Sequence, residues 1–496
     1  DLDGDGKNLD RDCDDTDPDV YVGGFETPYN GKDDDCDPLT LDDDLDGDGW
    51  GIDDDCDDGD ATVDGALADE CLSPGRASVR VVPHARAMKL GSDIALLDDM
   101  DGDGQADLVV GAQGADGDIG AVFLISGGDL RDAGVAGLST EGVATVWTGR
   151  ARYDTLGAAG SLLEIPDTTG DGLAELLICN PGADPGGNSN AGAVFVVHSD
   201  DATAMGGGLL NDVASYAILG AHAGDKLGSA AAVADFGGDG VADLALMSAQ
   251  ADLVYSNSGM LALFDGTLAG TADISVDDAD VRVHGYFNEV MGFGRVRVIG
   301  DLDGDGVVEL AIGSDRADAT AEVDAGKVYV LSSGLLSPDV ELPDGVDLSA
   351  AYVGDVAMLT IEGLSFAEEF GGDLVMLPDT DGDGDDELLV SAPMGDVLAT
   401  NGGAVYRFAG EPGAGGVWTT ADAVAVWGGA DVLAAAGGVL VGADLDGDGI
   451  QDVLASTVYG PTGGRVFGLL SADLGDWGGD GEVGTGAGLF SASGTS

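Results

Sequence analysis

The stretch Asp301-Leu-Asp-Gly-Asp-Gly-Val-Val-Glu309, followed at once by Leu-Ala-Ile-Gly, has the pattern of a tight acidic loop that leads into a β-strand. Three aspartates alternate along the turn, and Glu309 is placed to close a ring of carboxylate oxygens. The glycines let the backbone curl, and Val307 can add its carbonyl oxygen. A ligand set made only of oxygen favours calcium, with magnesium second, over zinc or copper, which prefer nitrogen or sulfur.

The acidic loop occurs six times, at intervals of 65 to 78 residues. One Asp-Gly run can be an ordinary turn, but six spaced copies indicate a repeated metal site. The third position is Thr169 in the second copy and Gly237 in the third, so we expect these two sites to bind metal more weakly. The predicted ligands are Asp99, Asp101, Asp103, Gln105 and Asp107; Asp167, Thr169, Asp171, Leu173 and Glu175; Asp235, Gly237, Asp239, Val241 and Asp243; Asp301, Asp303, Asp305, Val307 and Glu309; Asp379, Asp381, Asp383, Asp385 and Glu387; Asp444, Asp446, Asp448, Ile450 and Asp452.

The charge balance excludes one class of partner. The chain has 496 residues, with 18 Lys and Arg against 94 Asp and Glu, and a net charge of −76. Such a field repels polyphosphates, so nucleic acid is not expected as a partner. Eight calcium ions would neutralise only about 16 charges, so both cation capture and a solvated or salt-adapted surface apply. No apolar run approaches the roughly 20 residues of a membrane helix, and no signal sequence precedes Asp1, so we expect a mature or truncated chain.

Residues 1–75 contain two further acidic loops, which brings the expected number of calcium sites to about eight. Their oxygens fall at the spacing of an EF-hand loop. The surrounding sequence is rich in Asp, Gly and Pro and lacks helical periodicity, so we predict loop-rich modules stabilised by calcium and disulfides. The predicted ligands are Asp1, Asp3, Asp5, Lys7 and Asp12 in the first loop and Asp44, Asp46, Asp48, Trp50 and Asp55 in the second.

This N-terminal region resembles the Asp/Cys-rich MopE-like metal-binding repeat of secreted bacterial proteins. The resemblance lies in Asp12-Cys-Asp-Asp-Thr-Asp-Pro18 and Asn30-Gly-Lys-Asp-Asp-Asp-Cys36-Asp. A cysteine that such repeats often carry is absent near Glu26, and the second copy is shortened before Cys71. Annotation of that family mentions copper, which the resemblance alone does not establish here.

Four of the five cysteines lie in the first 71 residues, a density that suggests disulfides and an oxidising compartment outside the cell. The pairings Cys13–Cys36 and Cys56–Cys71 are favoured among the three connectivities because each closes a loop within one copy. Free or cross-paired thiols are the alternative.

Residues 76–470 predict an all-β fold built from four-stranded units. Each unit runs from a hydrophobic-Gly step through a strand, the acidic loop, a second strand and a variable loop to a third strand, and a further β-rich segment supplies the fourth. Such units are typical of propeller blades, and we predict six blades, with seven as the alternative. We expect the segment Ala77–Val82 to pair with the last blade, and residues 471–496, rich in Gly and Ser, to be a tail or linker. The steps are Leu90-Gly91, Leu156-Gly157, Leu227-Gly228, Phe293-Gly294, Phe370-Gly371 and Ala436-Gly437.

These features resemble the FG-GAP repeats of integrin α-subunit propellers and their bacterial relatives. The resemblance rests on Phe293-Gly294, on the acidic loops, and on Ser391-Ala-Pro393 where the family has Gly-Ala-Pro. It implies calcium loops between the first and second strands of each blade, all on one face, with ligand-contacting loops on the other. Integrins have seven blades, whereas six units are counted here.

We therefore expect a secreted or cell-surface calcium-binding propeller, with mainly structural calcium and an adhesive, matrix or protein- or glycan-binding role. No catalytic or cofactor-binding residues are predicted, so the protein is not expected to be an enzyme. The alternatives are a secreted hydrolase or lyase on a propeller scaffold, and a calcium-dependent, self-assembling surface or filament subunit. The face opposite the calcium loops is the expected recognition surface, where loop residues, most of them aromatic, either contact a partner or fold back over the central channel. These residues are Arg150 to Tyr153, Tyr255, Tyr286-Phe287, Phe366, Trp427 and Tyr459.

Overall fold

Strands account for nearly all of the regular structure, and the chain divides into two units, Asp1–Arg80 and Val81–Ser496. The predictions for residues 1–75, including the two loops and the four cysteines, lie outside the described residues and stay predictions. The computed structural model describes residues 22, 81–85, 88–133, 138–142, 145–158, 160–252, 257–266, 272–286, 295–300, 307–320, 322–332, 335, 351–378, 386–397, 399–409, 416–429, 435–443, 451–457, 465–469, 481–483 and 491–493.

The strands are short and follow one another with few helices. They are β1 (Val81–Val82), β2 (Leu90–Leu97), β3 (Asp107–Ala112), β4 (Ala121–Ile125), β5 (Leu138–Ser139), β6 (Thr145–Thr148), β7 (Leu162–Ile165), β8 (Glu175–Asn180), β9 (Ala193–Val197), β10 (Gly208–Leu209), β11 (Tyr216–Leu219), β12 (Leu227–Ala234), β13 (Asp243–Ser248), β14 (Met260–Phe264), β15 (Ile274–Ser275), β16 (Val281–His284), β17 (Val296–Ile299), β18 (Glu309–Ser314), β19 (Lys327–Leu331), β20 (Ala351–Tyr352), β21 (Ala357–Glu362), β22 (Leu374–Leu377), β23 (Glu387–Ala392), β24 (Ala404–Ala409), β25 (Gly416–Thr419), β26 (Ala425–Gly429), β27 (Ala436–Ala443), β28 (Asp452–Thr457), β29 (Arg465–Leu469), β30 (Gly481–Val483) and β31 (Ser491–Ser493). The short α-helices are α1 (Ala115–Asp118), α2 (Gly127–Ala133), α3 (Ala202–Met205), α4 (Leu210–Val213) and α5 (Val353–Val356), and 3₁₀ turns span Thr140–Gly142, Pro185–Gly187, Val276–Asp278 and Thr420–Asp422.

Besides the two-stranded pair of β1 and β5, the described strands form six sheets, each built on a four-stranded antiparallel arrangement. The first sheet has the order β2-β3-β4-β6, and the next four repeat it as β7-β8-β9-β11, β12-β13-β14-β16, β17-β18-β19-β21 and β22-β23-β24-β26. The sixth is β27-β28-β29-β31. The prediction of an all-β fold made of four-stranded units is confirmed.

A fifth, parallel strand extends each of the first five sheets and comes from the repeat that follows in the chain. β10 pairs with β6, β15 with β11, β20 with β16, β25 with β21 and β30 with β26. The sequence did not predict these strands, because most are only two residues long and carry no alternating pattern. Each one covers the outer edge of the preceding sheet.

The end of the chain differs from the expected arrangement. Val81–Val82 pairs in parallel with Leu138–Ser139, and the outer place of the sixth sheet is taken by Ser491–Ser493, antiparallel to β29. The sequence predicts instead that the segment ending at Val82 fills that place. Two strands, β30 and β31, thus lie in the stretch that the sequence predicts to be a tail. A composition rich in Gly and Ser does not prevent strand pairing, because ladder hydrogen bonds join backbone groups and need no apolar side chains.

The hydrophobic-Gly step is the joint between neighbouring sheets. The apolar residue forms a parallel bridge to the glycine that precedes the third strand of the preceding sheet, as in Gly192 with Leu227 and Gly326 with Phe370. A side chain on that glycine would collide with the partner's backbone, since a Cβ at Gly192 would lie 2.2 Å from the Leu227 carbonyl oxygen. Leu227 and Phe370 are themselves fully buried, so this joint also anchors the core.

The core lies in layers between successive sheets. Trp147 and Phe195 pack between the first and second sheets, and Phe264 packs between the second and third. Tyr329 and Phe408 occupy the next two layers. The first strands β2, β7, β12 and β17 line one common cavity of about 400 Å³, so these sheets are arranged around a shared centre.

We expect Gly192→Ala to destabilise the protein by more than the roughly 1–2 kcal/mol that a left-handed backbone alone costs an L-residue. The excess reflects the collision with Leu227, and chemical denaturation measures it. Gly187→Ala is the matched control, because Gly187 also has a positive φ but no atom within 4 Å of the place that a Cβ would take. Equal losses of unfolding free energy in the two variants would contradict the close-approach explanation.

Candidate metal centres

The last acidic residue of each loop is buried at the first residue of the second strand of its sheet. An ionised carboxylate loses hydration on burial, so each needs compensating hydrogen bonds or a nearby cation. These residues, all no more than 1 % exposed, are Asp107, Glu175, Asp243, Glu309, Glu387 and Asp452.

The first loop brings three predicted ligands together. Single carboxylate oxygens of Asp99, Asp101 and Asp107 all lie within 4.8 Å of one another. The two Asp99 oxygens accept hydrogen bonds from the N–H groups of Gly102 (2.7 Å) and Gly104 (2.9 Å), both at φ +81°. These bonds hold the loop in the tight curl that the glycines permit.

Backbone N–H groups also compensate the buried Asp107. Its Oδ2 accepts from Met100 (2.9 Å) and Asp101 (3.1 Å), and its Oδ1 accepts from Gly127 (2.9 Å). Burial nevertheless raises the pKa of Asp107, with these hydrogen bonds opposing the increase. The predicted ligand Asp103 lies outside the trio, since its Oδ2 accepts from Ser126 Oγ at 2.6 Å.

The second loop forms a similar cluster from Asp167, Asp171 and Glu175. Glu175 Oε2 accepts from the Thr168 N–H at 3.0 Å, whereas Glu175 Oε1 and Thr169 Oγ1 are buried without a hydrogen bond of good geometry. Burial raises the pKa of Glu175, and the neighbouring Thr168 and Thr169 oppose this. The cluster therefore presents a buried oxygen without a hydrogen bond of good geometry next to two further carboxylates. Thr169 lies next to this cluster. The sequence predicts weaker metal binding at this loop because Thr169 stands where most other loops have an aspartate.

The third loop has the same backbone but no carboxylate cluster. Asp235 accepts from the N–H groups of Gly238 (2.6 Å) and Gly240 (2.7 Å), as Asp99 does in the first loop. Asp243 is likewise bound by three N–H groups. Asp235, Asp239 and Asp243 do not come together as a group of three carboxylates among the residues that the structure describes.

The remaining three loops fall largely outside the described ranges. Val307, Glu309, Glu387 and Asp452 are described, and Glu387 accepts a hydrogen bond from Arg407 Nη2 at 2.7 Å. The other predicted ligands of these loops stay predictions: Asp301, Asp303, Asp305, Asp379, Asp381, Asp383, Asp385, Asp444, Asp446, Asp448 and Ile450.

A second set of acidic residues fixes the loops at the opposite ends of the second strands, and these residues are not among the sequence predictions. In four sheets an aspartate Oδ1 accepts from the N–H of an Asn or Asp that has a left-handed backbone and precedes a glycine by two positions. The sequence does carry a signal for them, because Asn and Asp tolerate this conformation and the Asx-x-Gly spacing repeats. The pairs are Asp184 with Asn190, Asp252 with Asn257, Asp318 with Asp324 and Asp396 with Asn401.

The aromatic residues predicted to act in recognition divide into exposed and buried ones. Tyr153 and Phe366 are 64 % and 70 % exposed, and Tyr286 is 43 % exposed and stacks on Tyr352 at 5.2 Å between ring centroids. Trp427 is buried between the fifth and sixth sheets, so its prediction as a surface contact is wrong. Tyr255, Phe287 and Tyr459 lie outside the described residues.

Comparison with known families identifies the repeated unit. The profile described as "FG-GAP repeat" matches residues 90–125, 293–331 and 370–406. The chain carries FG-GAP repeats. Each match runs from the step through the acidic loop to the third strand, the same elements on which the sequence resemblance rests. The profile described as "Putative metal-binding motif", of the MopE type, matches residues 12–40 and 51–69, and so the N-terminal resemblance is confirmed as well.

Two curated relatives share part of the sequence. Phosphatidylinositol-glycan-specific phospholipase D of Rattus norvegicus is 28 % identical over 181 residues, which is 36 % of this chain and 20 % of that protein. The Homo sapiens protein of the same name is 28 % identical over 173 residues, 35 % of this chain and 19 % of that protein. The chain thus spans about a fifth of the length of these relatives.

Among solved structures, one described as "Structure of Dos1 propeller" is similar with a TM-score of 0.37 and 10 % identity, covering 73 % of this chain and 63 % of that one. The fold assignment rests on the sheets and on the FG-GAP matches, not on this similarity. Within the part of the chain that the structure describes, no helix has the length and apolar character needed to cross a membrane.

Asp315, directly after β18, is a further carboxylate in an unfavourable environment. Its Oδ1 is buried without a hydrogen-bond partner, and burial, followed by the nearby Glu369, raises the pKa of Asp315 to about 6. Protonated Asp315 therefore stabilises the folded state at low pH. That contribution is lost as the pH rises from the ordinary value of 3.8 through about 6.

We expect Asp315→Asn to raise the free energy of unfolding by roughly 1–2 kcal/mol at pH 7.5 and by much less at pH 4. Denaturant titration at the two pH values measures this difference. Asp324→Asn, at an exposed position in the loop between β18 and β19, is the control. A gain that is the same at both pH values would contradict the assignment to Asp315 ionisation.

Proposed function

We propose that the protein is a secreted or cell-surface β-propeller whose acidic loops bind structural calcium and whose role is to bind a protein or glycan. The observation that carries this proposal is the buried carboxylate that begins the second strand of every sheet. Six repeats keep it in the same place, although burial of a charge is unfavourable by itself.

The first two loops support calcium binding most directly. Asp99 and Asp101 would hold the ion together with Asp107, and Asp167 and Asp171 would hold it together with Glu175. Like charges this close repel one another unless a cation lies among them. The ligand atoms are all oxygens, as calcium prefers, and Glu175 Oε1 is buried without a hydrogen bond of good geometry. Bound calcium would neutralise each cluster and fix the loop to its strand.

Six blades around one centre are the inferred architecture. The repeated sheets, the step that joins each sheet to the next, and the cavity shared by β2, β7, β12 and β17 support it. A propeller of this kind presents two loop-covered faces, and the exposed Tyr153, Tyr286 and Phe366 supply aromatic surface for a protein or glycan partner.

Export is proposed for two reasons. The cysteines of the N-terminal region suit an oxidising compartment. Sites that bind calcium with modest affinity would be filled mainly outside cells, where calcium is abundant. The proposed disulfides and the two N-terminal calcium loops belong to the same picture, with the MopE-type matches as their support.

A non-catalytic role is supported by the dispersal of the four histidines. His84 contacts Thr140 Oγ1 at 2.7 Å, His198 packs on Tyr216, and His222 lies 3.4 Å from Asp225. His284 packs on Tyr352 in the third sheet. They belong to different parts of the fold and do not converge on one pocket. The phospholipase relatives match over only about a fifth of their length, so their activity is not transferred.

We expect Glu175→Gln to remove one calcium ion per chain in isothermal titration calorimetry. It should lower the melting temperature in calcium by several degrees, because the cluster loses a charged ligand. In chelator the same variant should melt at or above the wild-type temperature, because a neutral amide needs no cation at a buried position. The exposed Glu141→Gln is the control.

The wild-type protein should also lose stability when calcium is removed. Unchanged melting after exhaustive chelation, together with no calcium bound in calorimetry, would overturn the proposed function.

A further inference from the structure

The fifth sheet contains a buried cation at a position where the first four sheets carry apolar side chains. Arg407, in β24, is only 5 % exposed, and its Nη2 donates to Glu387 Oε1 at 2.7 Å. Glu387 is fully buried and is the residue that closes the fifth acidic loop. A positively charged side chain of this protein thus already binds an oxygen that the sequence assigns to a divalent metal.

The strand register shows why Arg407 can reach this carboxylate. Glu387 pairs with Ala409, so Arg407, two residues away on the same strand, is a diagonal neighbour on the same face of the sheet. The positions that correspond by register in the first four sheets are Leu124, Val196, Leu263 and Val330, all of them buried and apolar.

The closing carboxylates of the first three sheets are compensated in other ways. Asp107 and Asp243 each accept three backbone N–H bonds, whereas Glu175 accepts one from Thr168 and keeps a buried oxygen without a hydrogen bond of good geometry. No Lys or Arg approaches these three carboxylates among the described ion pairs. The fifth sheet is different because a guanidinium supplies the positive charge.

Other buried carboxylates of the fourth and fifth sheets are paired in the same manner. Asp373, which is fully buried, accepts from Arg295 Nε and Arg297 Nη2, both at 3.2 Å, and from the Leu440 N–H of the sixth sheet at 2.9 Å. Glu362 lies 3.3 Å from Lys327 Nζ. By contrast, both side chains of the Arg150–Asp212 pair in the first half are 58 % exposed.

We propose that Arg407 takes the place of a divalent cation at the fifth loop, so that the fifth sheet keeps its structure without calcium while the first and second sheets depend on it. A guanidinium on Glu387 neutralises the carboxylate, occupies one of its oxygens and repels a second cation. The inference rests on the proposed calcium binding at the first two loops. It replaces the sequence prediction of a metal site at Asp379, Asp381, Asp383, Asp385 and Glu387.

The consequence is a division of the repeat series by its response to calcium. Withdrawal of calcium would loosen the sheets that begin the series, whereas the fourth and fifth sheets would stay joined through Asp373 and the fifth sheet would keep Glu387 neutralised through Arg407. A partner that binds the loops of the early sheets would then sense the calcium concentration. A partner that binds the later sheets would not.

Hydrogen–deuterium exchange of the whole chain, in calcium and in chelator, tests this division. Peptides that cover β3 and β8 should exchange at least tenfold faster in chelator, whereas those that cover β23 should change less than twofold. Arg407→Leu, which introduces the residue type of the first sheet, should make β23 exchange depend on calcium. Arg150→Leu removes an exposed arginine and should leave all three strands as in the wild type.

The outcomes separate this inference from the proposed function. Equal loss of protection in β3, β8 and β23 of the wild-type protein would overturn the inference and leave calcium binding in place. No response in any of the three strands would overturn both. If Arg407→Leu does not fold, Arg407→Lys, which keeps the charge, is expected to keep β23 independent of calcium, and a calcium-dependent β23 in that variant would contradict the role of the cation.

Discussion

The structure depends on one constraint, a carboxylate that is held away from water at the first residue of the second strand in every sheet. The strand is covered on both faces, so this side chain cannot reach solvent, and the loop before it must fold back to supply N–H donors. Asp99 and Asp235 curl their loops through equivalent hydrogen bonds, although only the first loop gathers three carboxylates. The loop conformation is therefore set by amide-to-carboxylate bonds, and a metal would add to a shape that already exists.

Positive charge is scarce in this chain, and its placement is informative. With 18 Lys and Arg against 94 acidic residues, few cations are left for the surface. Arg295, Arg297 and Arg407 all point to carboxylates that are fully buried. Burying a pair is no guarantee of stability, but removing one partner leaves an uncompensated charge, so such pairs are strict local requirements. Acidic residues at the surface are hydrated and need no cationic partner, whereas these buried carboxylates are paired with arginine.

Much of the fold could be predicted from the sequence because its signals are local. The acidic loop, the step with its glycine and the apolar third strand each lie within a few residues, and together they indicate the four-stranded unit. Arg407 could not be assigned, because its partner is identified only by the register between two strands. Most of the parallel strands escaped prediction because two residues show no periodicity, and the tail strand Ser491–Ser493 has only Ala492 as an apolar residue. Trp427 was misjudged because an aromatic residue in a strand can face either the core or solvent.

The parallel strand that each repeat adds to the preceding sheet affects how readily these molecules aggregate. An open sheet edge is a template for pairing with another chain, and repeated sheets would offer one such edge per unit. Here β10, β15, β20, β25 and β30 occupy those edges. The protection is cooperative, since each unit shields its predecessor, and among the described strands no parallel strand is added to β31, the outermost strand of the sixth sheet. Edge-to-edge aggregation, if it occurs, would start from that strand.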